Sequence, residues 1–481
     1  MVNTEINSIV CGTCERVIEV GVKRCSYCLT DIRAVEPLSG DDAVLAQMHR
    51  ARVVRRNSRR RLAIKSFQIT CGFLLIFVCM FWTYATFISS AGTLPISTTN
   101  LSGRLSADTG WENSDGGSGR LRRSLYGSRI EQPIAWQTQL PANAETSLVA
   151  DSQHLYISLS NGLLIAYSQL DGSEIWRKQF EDFLLAAPLA VEKMLIVPSA
   201  NGILYALDSS NGNELWSVQA GNLLESTPLI YDGRIYLFGK DAWYVLDAGN
   251  GEKLWQKDMD TVVHKSGRRF ESPVMNDHYI AVGLGQKLLI FDRLTGEQTY
   301  WYNSVSFPTK IAIDNNEVIS ISPWLIFSVD EDSQNPWWEG RLRSLWLQLY
   351  VWGVAPPTPL PDRLWGNFNP PRLYFAPAVG SDSIYVAGER GSRLSTDALL
   401  QSYNRKDGSI NWKKTIPQIT SAPLITSDGL LIAAGPMLML LDPESGEEIQ
   451  LLDYKQNVSS PISIESGTYY IVGGKNIQAL K

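Results

Sequence analysis

Beyond residue 79 the chain contains no cysteine. The roughly 400 residues that follow therefore use neither disulfides nor thiol chemistry. Histidine is also scarce. His49, His154, His264 and His278 are scattered over 481 residues, which excludes a histidine-based active site or metal cluster as the organising feature. No Ser/His/Asp set, phosphate loop or HExxH motif is present, and Gly283-Leu284-Gly285 lacks any dinucleotide-binding context. The chain is not basic either. Its formal net charge is −6, and seven Arg and one Lys with no acid are concentrated between Arg50 and Lys65, so the remainder carries −14. An acidic body argues against nucleic acid as a partner. Finally, no charged residue occurs from Phe67 to Ile88.

What is present begins with two short cysteine pairs. Cys11-Gly-Thr-Cys14 is followed after ten residues by Cys25-Ser-Tyr-Cys28. Two CxxC pairs at this spacing predict tetrahedral Zn²⁺ held by the thiolates of Cys11, Cys14, Cys25 and Cys28. Four thiolates leave no open coordination position, so the ion is expected to be structural. Free or redox-active thiols are the alternative. Residues 1–35 resemble a short zinc ribbon. A segment this small cannot bury an adequate core alone, and metal binding is expected to supply most of its folding free energy.

Residues 36–66 form a basic juxtamembrane segment, and 67–88 are apolar. Twenty-two residues span about 33 Å as a helix, enough to cross a bilayer. Phe81, Trp82 and Tyr84 suit the far interface, and the basic run places the N-terminus in the cytoplasm. A single-pass protein of the cell membrane follows, with everything after residue 90 extracytoplasmic. The thiols then lie on the reducing side and the cysteine-free body on the oxidising side. Residues 89–131 are rich in Ser, Gly and Thr, with Ser-Asp-Gly-Gly-Ser-Gly at 114–119. This composition predicts a flexible linker with an r.m.s. span of roughly 35 Å, in which Arg120, Arg122, Arg123 and Arg129 are solvated.

From residue 132 onward one pattern recurs. Ala206 to Trp216 reads ALDSSNGNELW, and variants end at Trp176, Trp255, Trp301 and Trp412. Leu440 to Gln450 keeps the pattern but has lost the tryptophan. Repeat ends at Trp136, Trp176, Trp216, Trp255, Trp301, Trp338, Trp412 and Gln450 are 40, 40, 39, 46, 37, 74 and 38 residues apart. About 40 residues is the period of a four-stranded propeller blade. Short β-rich runs with Asn-Gly turns fit that architecture. Small-Pro pairs such as Ser272-Pro273 and Ala422-Pro423 recur at the inner-strand position. The recurring Asp208, Asp247, Asp292 and Asp442 read as turn residues. The prediction is an all-β, eight-bladed propeller over 132–481 in which residues 134–140 complete the last blade. Seven blades is the alternative, because the repeat at 302–338 is degenerate.

The ALDxxxGxxxW pattern resembles the PQQ-like, or quinoprotein, repeat family. It is most similar to the non-enzymatic branch, of the outer-membrane assembly propeller lipoprotein type. The resemblance implies tryptophans wedged between blades. In the enzymes of the family it implies a quinone and Ca²⁺ at the ring centre, held by Glu, Asn and Asp, often beside a cysteine pair. That pair is absent here and the ligands have no match, so no PQQ and no catalysis are expected. The insertion at 336–371, placed in the sixth repeat, sets Trp338, Leu342, Leu345, Leu349 and Trp352 at helical spacing. That face packs on the propeller, docks a protein partner or lies on a membrane surface. The expected function is a membrane-anchored extracytoplasmic scaffold or assembly factor that binds protein or another ligand. A transmembrane sensor coupled to the ribbon is the alternative.

Overall fold

The computed structural model describes residues 8–32 (except 12, 15, 20 and 30), 58, 62–80, 111–131 (except 112 and 128), 134–239, 242–258, 272–284, 287–303, 310–322, 325–333, 349, 352–354, 364–367, 372–373, 375–389, 398–454, 457–463 and 467–481. The chain divides into two compact units, Met1–Ser90 and Ala91–Lys481.

In the first unit Ser8–Val10 pairs antiparallel with Val17–Glu19, with Ile9 opposite Ile18. Ile9, Ile18, Cys11 and Cys25 form its small buried cluster, with Cys14, Cys28 and Ile32 packed against it. The unit also holds an apolar helix, Leu62–Met80, of 19 residues. It starts five residues before the predicted span, and Phe81, Trp82 and Tyr84 lie outside the described residues. Its two hydroxyls nearest the N-terminus fold back on the helix. Ser66 Oγ donates to Ala63 O and Thr70 Oγ1 to Ser66 O, so neither needs an outside partner.

In the second unit the described strands form eight antiparallel sheets. Blade one comprises Val149–Ala150, His154–Ser158, Leu163–Ser168 and Glu174–Gln179, counted from the inside outward. Blades two to seven follow at 189–219, 229–258, 274–303, 310–367, 372–416 and 424–453. Blade eight is built from both ends of the unit. Val458–Ser463, Tyr469–Gly473 and Asn476–Leu480 supply three strands, and Trp136–Gln139 pairs with the last of them, Trp136 opposite Ala479. The predicted closure therefore holds, and the count is eight, not seven.

The core lies between blades rather than within them. One cluster joins Tyr156, Leu164 and Trp176 of blade one to Ala190, Leu195 and Leu207 of blade two. Another joins blade two to blade three through Ile196, Leu204, Ile235 and Leu246. The repeat motif explains this spacing. Asp208 Oδ1 accepts from Ser210 N at 2.8 Å, and Gly212 N donates to Asp208 O at 2.8 Å. This closes the turn with Gly212 at φ +73°, where glycine is favoured. The indole of Trp176 from the preceding blade lies on that glycine, with its Nε1–H on Ser209 O at 2.9 Å. Trp136 on Gln169 O, Trp216 on Ala248 O and Trp412 on Pro443 O repeat the arrangement.

The fifth blade differs from the sequence reading. Its first three strands, Lys310–Asp314, Glu317–Ser322 and Leu325–Asp330, are regular, but the fourth is Trp365–Asn367. Trp365 donates to Arg405 O at 2.6 Å and lies on Gly408, so it is the repeat tryptophan. The insertion thus falls inside blade five, between its third and fourth strands. Trp338 sits close to the repeat spacing without ending the blade. Of the predicted apolar face, only Leu349 and Trp352 are described, and Trp352 is 65% exposed.

A Cβ on Gly212 would stand 2.6 Å from Trp176 Cε3. Gly212→Ala is therefore expected to lower stability by about 1–3 kcal/mol, read as an earlier urea midpoint. Leu170→Ala, at a side chain 81% exposed, should leave the midpoint within about 0.5 kcal/mol.

Candidate functional site

Two places gather polar chemistry. The first is the cysteine cluster. The hairpin 8–19 carries Cys11 at the end of its first strand and Cys14 in its turn, while a second turn holds Cys25 and Cys28. Cys11 N bonds Arg16 O, and Leu29 N bonds Cys25 O, both at 2.9 Å. The four sulfurs lie within 4.8 Å of one another. Cys11–Cys28 and Cys14–Cys25 are each 3.6 Å apart. A tetrahedral ion with 2.3 Å bonds to sulfur needs sulfur–sulfur edges of about 3.8 Å, so the donor set fits a metal such as zinc. The four predicted ligands are therefore brought together. Backbone amides of Cys14 and Thr13 lower the Cys11 thiol. At Cys14 the Arg16 amide acts downward, but burial and the three neighbouring sulfurs outweigh it and push the thiol up to about 12.

The second place lies at the ring axis and was not foreseen. Residues 111–131 are part of the ring unit, not a solvated linker; residues 89–110 lie outside the described residues. Trp111 O accepts from Ala150 N of blade one at 2.9 Å. Ser118 O accepts from Met275 N of blade four, and Gly119 O from Ile313 N of blade five, both at 3.0 Å. Leu121 O accepts from Val379 N of blade six at 2.8 Å, and Arg122 O from Ile425 N of blade seven at 3.0 Å. All five partners are on innermost strands. Blades one and five stand opposite in a ring of eight, so a segment bonded to both occupies the axis.

The arginines read as solvated are buried. Arg120 and Arg122 are each 4% exposed and have φ +52° and +47°. These left-handed values cost about 1 kcal/mol or more apiece. Arg120 Nε donates to Pro273 O and Arg122 Nε to Pro423 O, each at 2.9 Å. The prolines of two Small-Pro pairs thus supply acceptors at the inner edge. Arg122 Nη1 also bonds Asp115 Oδ1 at 2.9 Å, and Arg120 Nη1 bonds Ser114 Oγ at 2.9 Å. Asn113 Nδ2 closes the loop on Gly117 O at 3.0 Å. Arg123 lies 3.6 Å from Asp314, which Arg405 also binds at 2.6 Å, and Arg405 bonds Glu317 besides. From the axis the chain passes blade seven. There Gln450 Nε2 donates to Ile130 O at 2.9 Å and Gln450 Oε1 accepts from Ile130 N at 3.2 Å. The tryptophan missing from repeat seven is replaced by an amide that clamps the passing chain. That replacement, and Trp111 inside an apparent linker, are the sequence signals for this site.

Burial acts to raise the Asp115 carboxyl, but Arg122, Lys310 and Arg120 outweigh it and hold it below the ordinary value. Burial lowers Arg122, and Asp115 restores part of the loss. Because the folded Asp115 value is depressed, its contribution is complete above the unfolded value of about 3.9. It is lost as pH falls through the folded value. Hydrogen exchange over 113–124, corrected for intrinsic rate, should therefore rise as pH is lowered through that window. Asp115→Asn should show the faster exchange already at neutral pH.

Comparison with known proteins agrees with the ring. Residues 130–339 match the family model described as outer membrane protein assembly factor BamB. No curated protein matches the chain in sequence. Among solved structures, BamB from Moraxella catarrhalis is 14% identical, with a TM-score of 0.54, covering 72% of this chain and 97% of that one. A quinohemoprotein alcohol dehydrogenase from Comamonas testosteroni is 11% identical, with a TM-score of 0.59, covering 77% and 80%. A europium-containing methanol dehydrogenase is 9% identical, with a TM-score of 0.56, covering 76% and 90%. An assembly factor and two dehydrogenases match about equally well, so the likeness is one of fold. The ring of this chain is an eight-bladed propeller of PQQ-like repeats, similar to BamB over residues 130–339.

Proposed function

We propose that the protein is a single-pass component of the cell membrane whose propeller lies outside the cytoplasm and serves as a protein- or ligand-binding scaffold or assembly factor, not an enzyme. The observation that carries this reading is the filled axis. A quinone and Ca²⁺ would be expected at the ring centre of a dehydrogenase of this type. Residues 113–124 lie there, and Arg120 and Arg122 bring positive charge, which repels a cation. The match to a model named for an assembly factor supports the same reading.

The helix Leu62–Met80 supports the anchor. It is about 28 Å long, with none of it buried, and an apolar surface of that length needs a covering medium. The basic run at 50–65 supports a cytoplasmic N-terminus. The ribbon, 1–35, would then hold structural Zn²⁺ through Cys11, Cys14, Cys25 and Cys28.

Four measurements test these statements. Elemental analysis should find one zinc per chain, lost in Cys11→Ser or Cys25→Ser; a chain that purifies folded and metal-free overturns the zinc centre. A reporter active only outside the cytoplasm should work when fused after Lys481, and activity of a cytoplasm-only reporter there would reverse the topology. Crosslinking in cells from the propeller should capture protein partners. Cytoplasmic partners of the ribbon that change with an external ligand would favour a sensor instead. Quinone-dependent dye reduction by folded protein with added PQQ and Ca²⁺ would restore the dehydrogenase.

A further inference from the structure

The ring is complete without the axial segment. Each blade has its strands, and the closing strand Trp136–Gln139 joins the ends through its own ladder and its own docked tryptophan. Residues 113–124 are thus seated in a finished structure. The segment is polar and folded on itself, with Gly116 N on Asn113 O, Arg120 N on Gly117 O and Arg122 N on Asp115 O, and Leu121 is its only large apolar side chain at the axis. It is held as a bound peptide is held. Inner-strand amides of Met275, Ile313, Val379 and Ile425 donate to its carbonyls, and Ile425 O accepts from Ser124 N at 2.8 Å. The carbonyls of Pro273 and Pro423 receive its guanidinium groups, and Asp314 faces Arg123. Gly119 passes so close to Ile313 O that a Cβ there would overlap it.

We infer that the axial mouth of the propeller is a peptide-recognition site, occupied in cis by residues 113–124, whose ligand class is a turn-forming peptide bearing glycine and an Arg-X-Arg pair. Small residues are required where the peptide crosses blade five, and the two arginines are required to reach the proline carbonyls. This deepens the scaffold reading and rests on it. A partner carrying such a segment competes with the chain's own. A tethered ligand has an effective concentration on the order of 1 mM, so a partner at micromolar levels gains access only when the cis segment is dislodged.

The test uses the full chain and a labelled peptide with the sequence of residues 113–124. Gly119→Val should expel the cis segment without altering any ring residue. Wild-type protein should leave the peptide's fluorescence anisotropy unchanged at micromolar concentration, and Gly119→Val should bind it at least about tenfold better. A peptide with both Arg120 and Arg122 replaced by alanine should not bind. A folded Gly119→Val chain that rejects the peptide overturns the site. Native-state hydrogen exchange on the wild type gives an independent decision. The amides of Met275, Ile313, Val379 and Ile425 should open together, with less protection than mid-blade amides such as Ile196 and Ile432. Exchange of all of them only through global unfolding would make the segment permanent core and overturn the inference, whether or not Gly119→Val folds. A chain that keeps its crosslinked partners yet rejects the peptide loses the axial site alone, whereas loss of partners as well removes the scaffold reading.

Discussion

One contact sets the geometry of this propeller: an indole from the outer strand of one blade lying flat on a turn glycine of the next. The glycine adopts a left-handed conformation that closes a turn capped by Asp, Asn or Ser, and its missing side chain leaves the bed on which the ring of Trp136, Trp176, Trp216, Trp365 or Trp412 rests. The indole N–H then anchors to a carbonyl of the same turn. The contact fixes how far apart neighbouring sheets stand at their outer edge. The aliphatic residues between the sheets fill the gap so defined.

The same repetition made the ring legible in the sequence. A 40-residue period, recurring turns and a last blade split between one strand at the start of the ring and three at its end are signals that add up over many copies. The four cysteines were legible because spacing and residue type alone specify a tetrahedral donor set. Two features were not legible. Trp338 lies 37 residues past Trp301 and imitates the period, whereas Trp365 is displaced by an insertion and recognisable only by what it lies on. Residues 114–124 have the composition of a linker, but low side-chain bulk also suits a backbone that must approach inner strands closely. Their arginines are paired with carbonyls 153 and 301 residues away, which no local pattern reveals.

The filled axis changes what the fold offers. An open funnel presents inner-strand amides and carbonyls to any ligand that enters. Here such groups on blades one, four, five, six and seven already have partners from the same chain, and Asp115 compensates part of the positive charge that Arg120 and Arg122 bring. The surface available to a second molecule is therefore the blade edges, the turns and whatever can take the place of the axial segment. Gln450 shows that the repeat itself has been adapted to this path, since it exchanges an indole that would dock between blades for an amide that holds the passing backbone.

Closure of blade eight also has a kinetic side. Gln137 and Gln478, hydrogen-bonded at 2.8 Å, are 341 residues apart in sequence. The strand 136–139 is made early and finds its partner only when the final strand exists. Until the two pair, that final strand presents an unpaired edge, and the seam between blades eight and one is open. Contacts of such separation form slowly, and open strand edges recruit wrong partners. The ring is thus most exposed to misassembly in the interval between synthesis of its last strand and the pairing of that strand with 136–139, when its individual blades are already formed.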